Sequence, residues 1–271
     1  MSERRCFPFG QPVLPRPPSA TGSRTVFVLG AYPSGFHVAW WLPGHEDRPT
    51  PDAKALIVDN EPEVFWDGHG AADLLEQWRR EVRFADHSWG RVALPETGNN
   101  GPSGQWLRDK ILVPLGHSRT DCWITDCLDA ARLNAGQQRR ISETYLPMIG
   151  RLGLPTPNMD STPTGESSIV REARQGHLER LARELDRARP EVIITLGNAA
   201  LRVLRLLVEI DSGDPGPALA ETSYGAQVQA RLGARPVRWL PLVHPRSGER
   251  IPKWRQIHMR WVERTHDRVP S

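Results

Sequence analysis

Val26-Phe27-Val28-Leu29-Gly30-Ala31-Tyr32-Pro33-Ser34-Gly35 is an apolar run of strand length that breaks into a glycine/proline turn. Two distant stretches have the same form, Trp123-Ile124-Thr125-Asp126 and Trp239-Leu240-Pro241-Leu242-Val243-His244-Pro245-Arg246. In each, apolar residues end in polar groups at the carboxyl end, which is where open α/β sheets place their ligand sites. Between the last two lies Arg189-Pro190-Glu191-Val192-Ile193-Ile194-Thr195-Leu196-Gly197-Asn198, a fourth strand that turns at glycine directly into a helix.

Working outward, Lys54 to Asp59 reads as a further strand, expected beside the first at the same sheet edge. Residues 31 to 53, rich in proline and charge, read as an excursion over the site. Helices are expected over about 71–84, 104–115 with Ser103 as N-cap, 137–152, 169–188, 198–209 and 252–266, with loops at 155–168 and 211–217. Strands alternating with helices at this spacing predict an α/β, single-domain, three-layer fold with a mostly parallel central sheet. The domain spans residues 25–268, and prolines at 8, 12, 15, 17 and 18 make residues 1–24 an extended arm without a core of its own.

Composition narrows the class. The 271 residues are 38% hydrophobic, enough for one core, and no apolar run approaches the ~20 residues that span a bilayer. Met1-Ser2-Glu3-Arg4-Arg5 is not followed by a signal-type apolar stretch, so a cytoplasmic location is expected. Three cysteines, Cys6, Cys122 and Cys127, cannot complete a disulfide framework or a four-cysteine metal cluster. Cys122 and Cys127 flank a strand and read as core thiols. Net charge is only +3, but residues 235–268 hold nine Lys/Arg against three acids, a surface on which a polyanion could dock.

Taken together and in this order, the motifs resemble the uracil-DNA glycosylase superfamily. Its members carry Gly-x-Asp/Asn-Pro after strand one, an Asn-ending strand in mid-chain and a His-Pro-Ser type motif near the carboxyl end. The counterparts are Gly30-Ala31-Tyr32-Pro33, Thr125-Asp126 and His244-Pro245-Arg246-Ser247. The run from Thr125 to Asn134 and the helix preceding Arg189 look like the bacterial iron-sulfur branch, whose cluster cysteines are absent here. The resemblance covers roughly residues 24 to 264. A nucleotide-binding α/β protein of another kind is the alternative.

The resemblance implies a DNA glycosylase that hydrolyses the N-glycosidic bond of a flipped pyrimidine and leaves an abasic site. It implies DNA as partner, a monomer, and neither a cofactor nor a metal or membrane association. His244 would donate to the pyrimidine O2 as negative charge develops there. The family places Asp or Asn where Tyr32 stands, and a phenol is a poor water activator. Tyr32 is therefore expected to stack or hydrogen-bond. Asp59 or Glu61 is the expected replacement carboxylate, with Asn60 between them among the base-binding residues.

Two departures bear on substrate. An ionised Asp126 only accepts hydrogen bonds, which suits the N4 amine of cytosine rather than the carbonyl of uracil. Ser34 stands where one branch of the family carries a tyrosine that walls off carbon 5 of the pyrimidine, so a large 5-substituent is admitted. The pair resembles the phage-defence branch that excises glucosylated hydroxymethylcytosine. Alternatives are a uracil or deaminated-base repair enzyme and a non-catalytic binder of modified DNA. The family's usual wedge position is Gly248, so Arg250 or Ile251 would fill the vacated stack. Arg246, Arg250, Lys253 and Arg255 are the expected phosphate contacts.

Overall fold

The computed structural model describes residues 4–96, 98–159 and 164–266. Residues 1–3 of the expected arm, 160–163 of the expected loop and 267–268 of the expected domain end lie outside the described residues.

The strands are β1 Val26–Gly30, β2 Gly35–Trp41, β3 Ala53–Asn60, β4 Arg91–Ala93, β5 Cys122–Asp126, β6 Val192–Leu196, β7 Glu209–Ser212, β8 Val228–Leu232 and β9 Arg235–Leu242. The helices are α1 Ala71–Glu81, α2 Pro102–Leu107, α3 Ala135–Arg140, α4 Ile149–Leu152, α5 Glu166–Gly176, α6 Leu178–Ala188, α7 Asn198–Leu204, α8 Pro245–Arg250 and α9 Pro252–His266.

A six-stranded sheet runs in the order β5-β1-β6-β9-β8-β7, with the first four strands parallel and the last two joined antiparallel. Every residue of β1, β5 and β6 is buried or nearly so. Such continuous burial follows from helices on both faces. Phe27 and Leu29 face one layer, packed with Ala173 of α5, Leu181 and Leu185 of α6, and Leu201 of α7. Val26 and Val28 face the other, against Leu107 of α2 and Ile257 and Trp261 of α9. The fold is thus α/β with a mostly parallel main sheet.

Lys54 to Asp59 does form a strand, β3, but not at the edge of the parallel sheet. It pairs antiparallel with β2 in a separate three-stranded sheet, β3-β2-β4. The segment expected to be an excursion supplies β2, whose seven residues are all buried. A strand covered on both faces lacks the alternation that announces one, and its proline-rich surroundings obscured it further.

Smaller expectations also shift. The helix expected over 169–188 is two, α5 and α6, meeting at His177. Gly101 rather than Ser103 precedes α2, because φ of 82° at that turn is open to glycine. The helix after β6 stops at Leu204, and the expected loop at 211 begins inside the edge strand β7.

The amino-terminal arm has no separate core, and it docks on the second sheet's core. Phe9 is 3% exposed and packs edge-on or tilted against Trp40, Trp78, Phe84, Trp89 and Tyr145. The Tyr145 hydroxyl accepts from the Phe9 amide at 2.7 Å, and Cys6 exchanges two backbone bonds with Asn158. Further along, the Ser19 amide donates to the Ile124 carbonyl (3.0 Å) and Ser19 Oγ accepts from the Ile124 amide (2.8 Å). That closes part of the open edge of β5.

Candidate functional site

The parallel strands end together. Register pairs Gly30 with Asp126, Leu29 with Thr195, and Leu196 with Leu242, so the polar residues that follow gather at one end of the sheet. There a cleft of about 750 Å³ opens, and Tyr32, Ser34, Glu61, His244, Arg246 and Arg250 all line it. Residues from three separated stretches of sequence are thereby brought to one place.

His244 sits between β9 and α8, in extended conformation, and caps that helix. Its Nδ1 accepts the Arg246 backbone N–H at 3.2 Å. The acceptor role assigns the ring proton to Nε2, which leaves an Nε2–H donor for the cleft. Burial, and then the Arg246 charge, push the His244 pKa down to about 4, so the ring is neutral at physiological pH. Gly197 makes room: at φ of 88°, a Cβ there would lie 3.1 Å from His244 Cβ.

Glu61 is 5% exposed, and burial raises its pKa well above the ordinary carboxyl range despite a backbone hydrogen bond from Gly101. The neighbouring Asp126 and Glu63 raise it further. Asp126 is buried beneath the cleft and does not line it. Burial pushes its carboxyl up to about 8, with the Arg180 charge only partly opposing, and its Oδ1 has no hydrogen-bond partner. At neutral pH Asp126 is therefore mostly a carboxylic acid, able to donate as well as accept, whereas the sequence reading took it as ionised.

Gly30 is the reason this carboxyl fits. A Cβ on Gly30 would fall 2.1 Å from Asp126 Oδ1 and 2.5 Å from the Phe65 ring. Phe65 has a positive φ of 53°, held by Arg119, whose guanidinium donates to the Val64 and Phe65 carbonyls. Its ring centroid is 6.3 Å from that of His244.

Tyr32 is half-buried and hydrogen-bonded to Thr164, and burial raises its phenol pKa. Ser34 is exposed to the cleft. Asp59 and Asn60 lie elsewhere. Asp59 Oδ1 accepts from the Asn60 amide at 2.6 Å, and its nearest charges are Glu81 and Arg16. The Asn60 carboxamide grips the arm, donating to the Pro12 carbonyl (2.8 Å) and accepting from the Leu14 amide (3.1 Å). The expectation that both carboxylates stand at the sheet edge fails because β3 belongs to the second sheet.

Of the expected phosphate contacts, Arg246 and Arg250 line the cleft, while Lys253 pairs with Glu221 at 2.8 Å and Arg255 is exposed outside the cleft lining. A Cβ on Gly248 would meet the Trp106 ring at 2.8 Å, so that position is sealed by packing. Ile251, 45% exposed at the cleft, is the apolar side chain placed to act as a wedge.

Sequence reasoning missed the opposite wall. His37 on β2 is 8% exposed, lines the cleft and meets the Gln137 carboxamide of α3 at 2.9 Å. Arg132 and Arg140 line it too, as do the Trp66 and Trp254 rings. The Asn134-to-Gln137 capping box that starts α3 was a legible signal for the wall itself. Nothing in the sequence tied His37 to it.

Among the described residues no group of three or more His, Cys, Asp or Glu could hold a metal ion, and no helix is long and apolar enough to cross a membrane. Compared with known proteins, the chain matches no family model, and no curated protein matches its sequence.

Proposed function

We propose that this protein is a DNA glycosylase that hydrolyses the N-glycosidic bond of a pyrimidine flipped out of the helix. The observation that carries this reading is the pairing in one cleft of a neutral, tautomer-fixed His244 with the buried Glu61 carboxyl. As the C1′–N1 bond breaks, its electrons pass to the base, and Nε2–H of His244 donates to the charge growing on O2, an effect worth ~3 kcal/mol. Water attacks C1′ of the cationic sugar, and Glu61 takes its proton. A carboxylate of raised proton affinity is the stronger base for that step. Tyr32 and the cleft's indole rings offer stacking surfaces for the extruded base.

For the base itself we infer a cytosine carrying a large 5-substituent, of which glucosylated hydroxymethylcytosine in phage DNA is the type. Ser34 supports it, a small side chain that is exposed in the lining of the cleft. A second reading, uracil repair, is favoured by the position of Asp126, which does not line the cleft and so presents no acceptor there to exclude a uracil carbonyl.

An abasic-site assay on oligonucleotides bearing uracil, cytosine and glucosylated hydroxymethylcytosine tests both. Release of the glucosylated base alone is the expected result. Release of uracil alone transfers the assignment to repair, and tight binding without release of any base refutes catalysis.

A further inference from the structure

Three guanidinium groups in the cleft have no carboxylate partner among the described residues: Arg140, Arg246 and Arg250. They come from different walls. Arg140 is the last residue of α3, anchored by one N–H to the Ala55 carbonyl at 3.2 Å, and Arg246 and Arg250 belong to α8. Arg132 on the α3 side is 8% exposed, paired through Nη2 with Glu172, and its buried Nε has no partner.

Like charges placed around an empty concavity repel one another, and proteins tolerate this where an anion is to be bound. Burial, then the Arg250 and, more weakly, the Arg140 charges lower the proton affinity of Arg246, and burial followed by the Arg140 charge lowers that of His37. Glu249, between Arg246 and Arg250 on α8, offsets part of the charge at Arg246, and the other acids of the cleft do not cancel the rest. Burial keeps Glu61 protonated over a range where ordinary carboxyls ionise, and Glu166 is engaged by the Asn198 carboxamide at 3.1 Å.

We infer that the cleft holds a phosphate site in which Arg140 and Arg246 close on one phosphate group from opposite walls. A guanidinium matches phosphate oxygens through paired N–H donors, and two of them facing each other fix the group's position as well as its charge. On the proposed function, the phosphate is one flanking the flipped nucleotide. The α3 wall then holds the strand from the side opposite α8, and Arg250 remains for an adjoining phosphate. The site itself stands without that reading, since a free nucleotide presents the same group.

The test uses the full-length protein, its Arg140→Gln and Arg246→Gln variants, and Arg187→Gln on the exposed side of α6 as a control. Thermal unfolding is followed with added inorganic phosphate, and binding of a single-stranded oligonucleotide and of dCMP is measured against salt. Phosphate should raise Tm of the native protein and the control but not of either cleft variant. Arg140→Gln should also flatten the salt dependence of oligonucleotide binding by ~0.7 in slope, the value of one phosphate contact on a single strand. Arg140-dependent binding of the oligonucleotide but not dCMP assigns the phosphate to the nucleic-acid backbone. Equal Arg140-dependent binding of dCMP assigns it to a free nucleotide. Either outcome stands even if no base is ever released, so the site and the glycosylase reading fail separately. An Arg140→Gln protein that keeps both the phosphate-induced rise in Tm and the native salt slope, with its phosphate-free Tm unchanged, overturns the inference.

Discussion

Replacing Asp126 by Asn should stabilise this protein at alkaline pH and leave it almost unchanged in acid. In the folded state the Asp126 carboxyl titrates at about 8, against an ordinary value of 3.8. Between those values the unfolded chain has released a proton that the folded chain still holds. Folding of the native protein therefore weakens as pH rises through this window, and levels off above about 8. Asparagine has the same shape and no proton to lose. Four units at 1.36 kcal/mol each give ~5 kcal/mol as the ceiling for the difference in unfolding free energy that opens across the window. Relaxation around the carboxylate and water entry reduce it, so ~2–5 kcal/mol is the expected range. Loss of the charge also relieves Glu61, whose proton affinity Asp126 raises, and this acts in the same direction. Urea denaturation of both proteins at a series of pH values from acid to alkaline measures the difference directly. A constant gap, or one that widens toward acid, would refute the claim that Asp126 is buried and neutral.

The remaining predictions concern catalysis. Glu61→Gln should abolish base release in single-turnover experiments while Asp59→Asn retains it, because only Glu61 lines the cleft; equal activities would return the water activator to an unknown group. Release by the native protein should increase with pH on its acid side as Glu61 ionises, with no inflection at the ordinary histidine value, since His244 titrates at about 4. His244→Ala should cost ~100-fold in release with DNA affinity nearly intact; an unchanged rate removes the imidazole from the mechanism. Ser34→Tyr should suppress release of a glucosylated base much more than that of an unmodified one, and full activity on the bulky base would show that the substituent leaves the cleft by another route.

Four parallel strands were legible because burial on both faces writes a continuous apolar run bounded by turns, as in Val26 to Leu29 and Val192 to Leu196. Which sheet a run joins is not written locally. Lys54 to Asp59 has the right composition for either, and only long-range pairing with β2 decides it. That one decision separates Asp59 from Glu61, two residues apart in sequence, and sends the first to the arm's side and the second to the cleft. His244 and Arg246 were found because they follow a recognisable strand. His37 and Arg140 were not, since their common cleft is made by a strand hidden among prolines and a helix of six residues.

The docking of the arm has a consequence for how the chain is made. Phe9 leaves the ribosome ahead of Tyr145, whose hydroxyl accepts from its amide and which follows 136 residues later. At ~5–20 residues per second that interval is on the order of 7–27 s. Throughout it the Phe9 ring can meet Trp40, Trp78, Phe84 and Trp89 as they appear, but its amide lacks the Tyr145 hydroxyl, and Ser19 waits for the edge of β5. The arm is thus made before the partners that complete its docking, so a pulse of protease during synthesis should cut it until Tyr145 and β5 have been made.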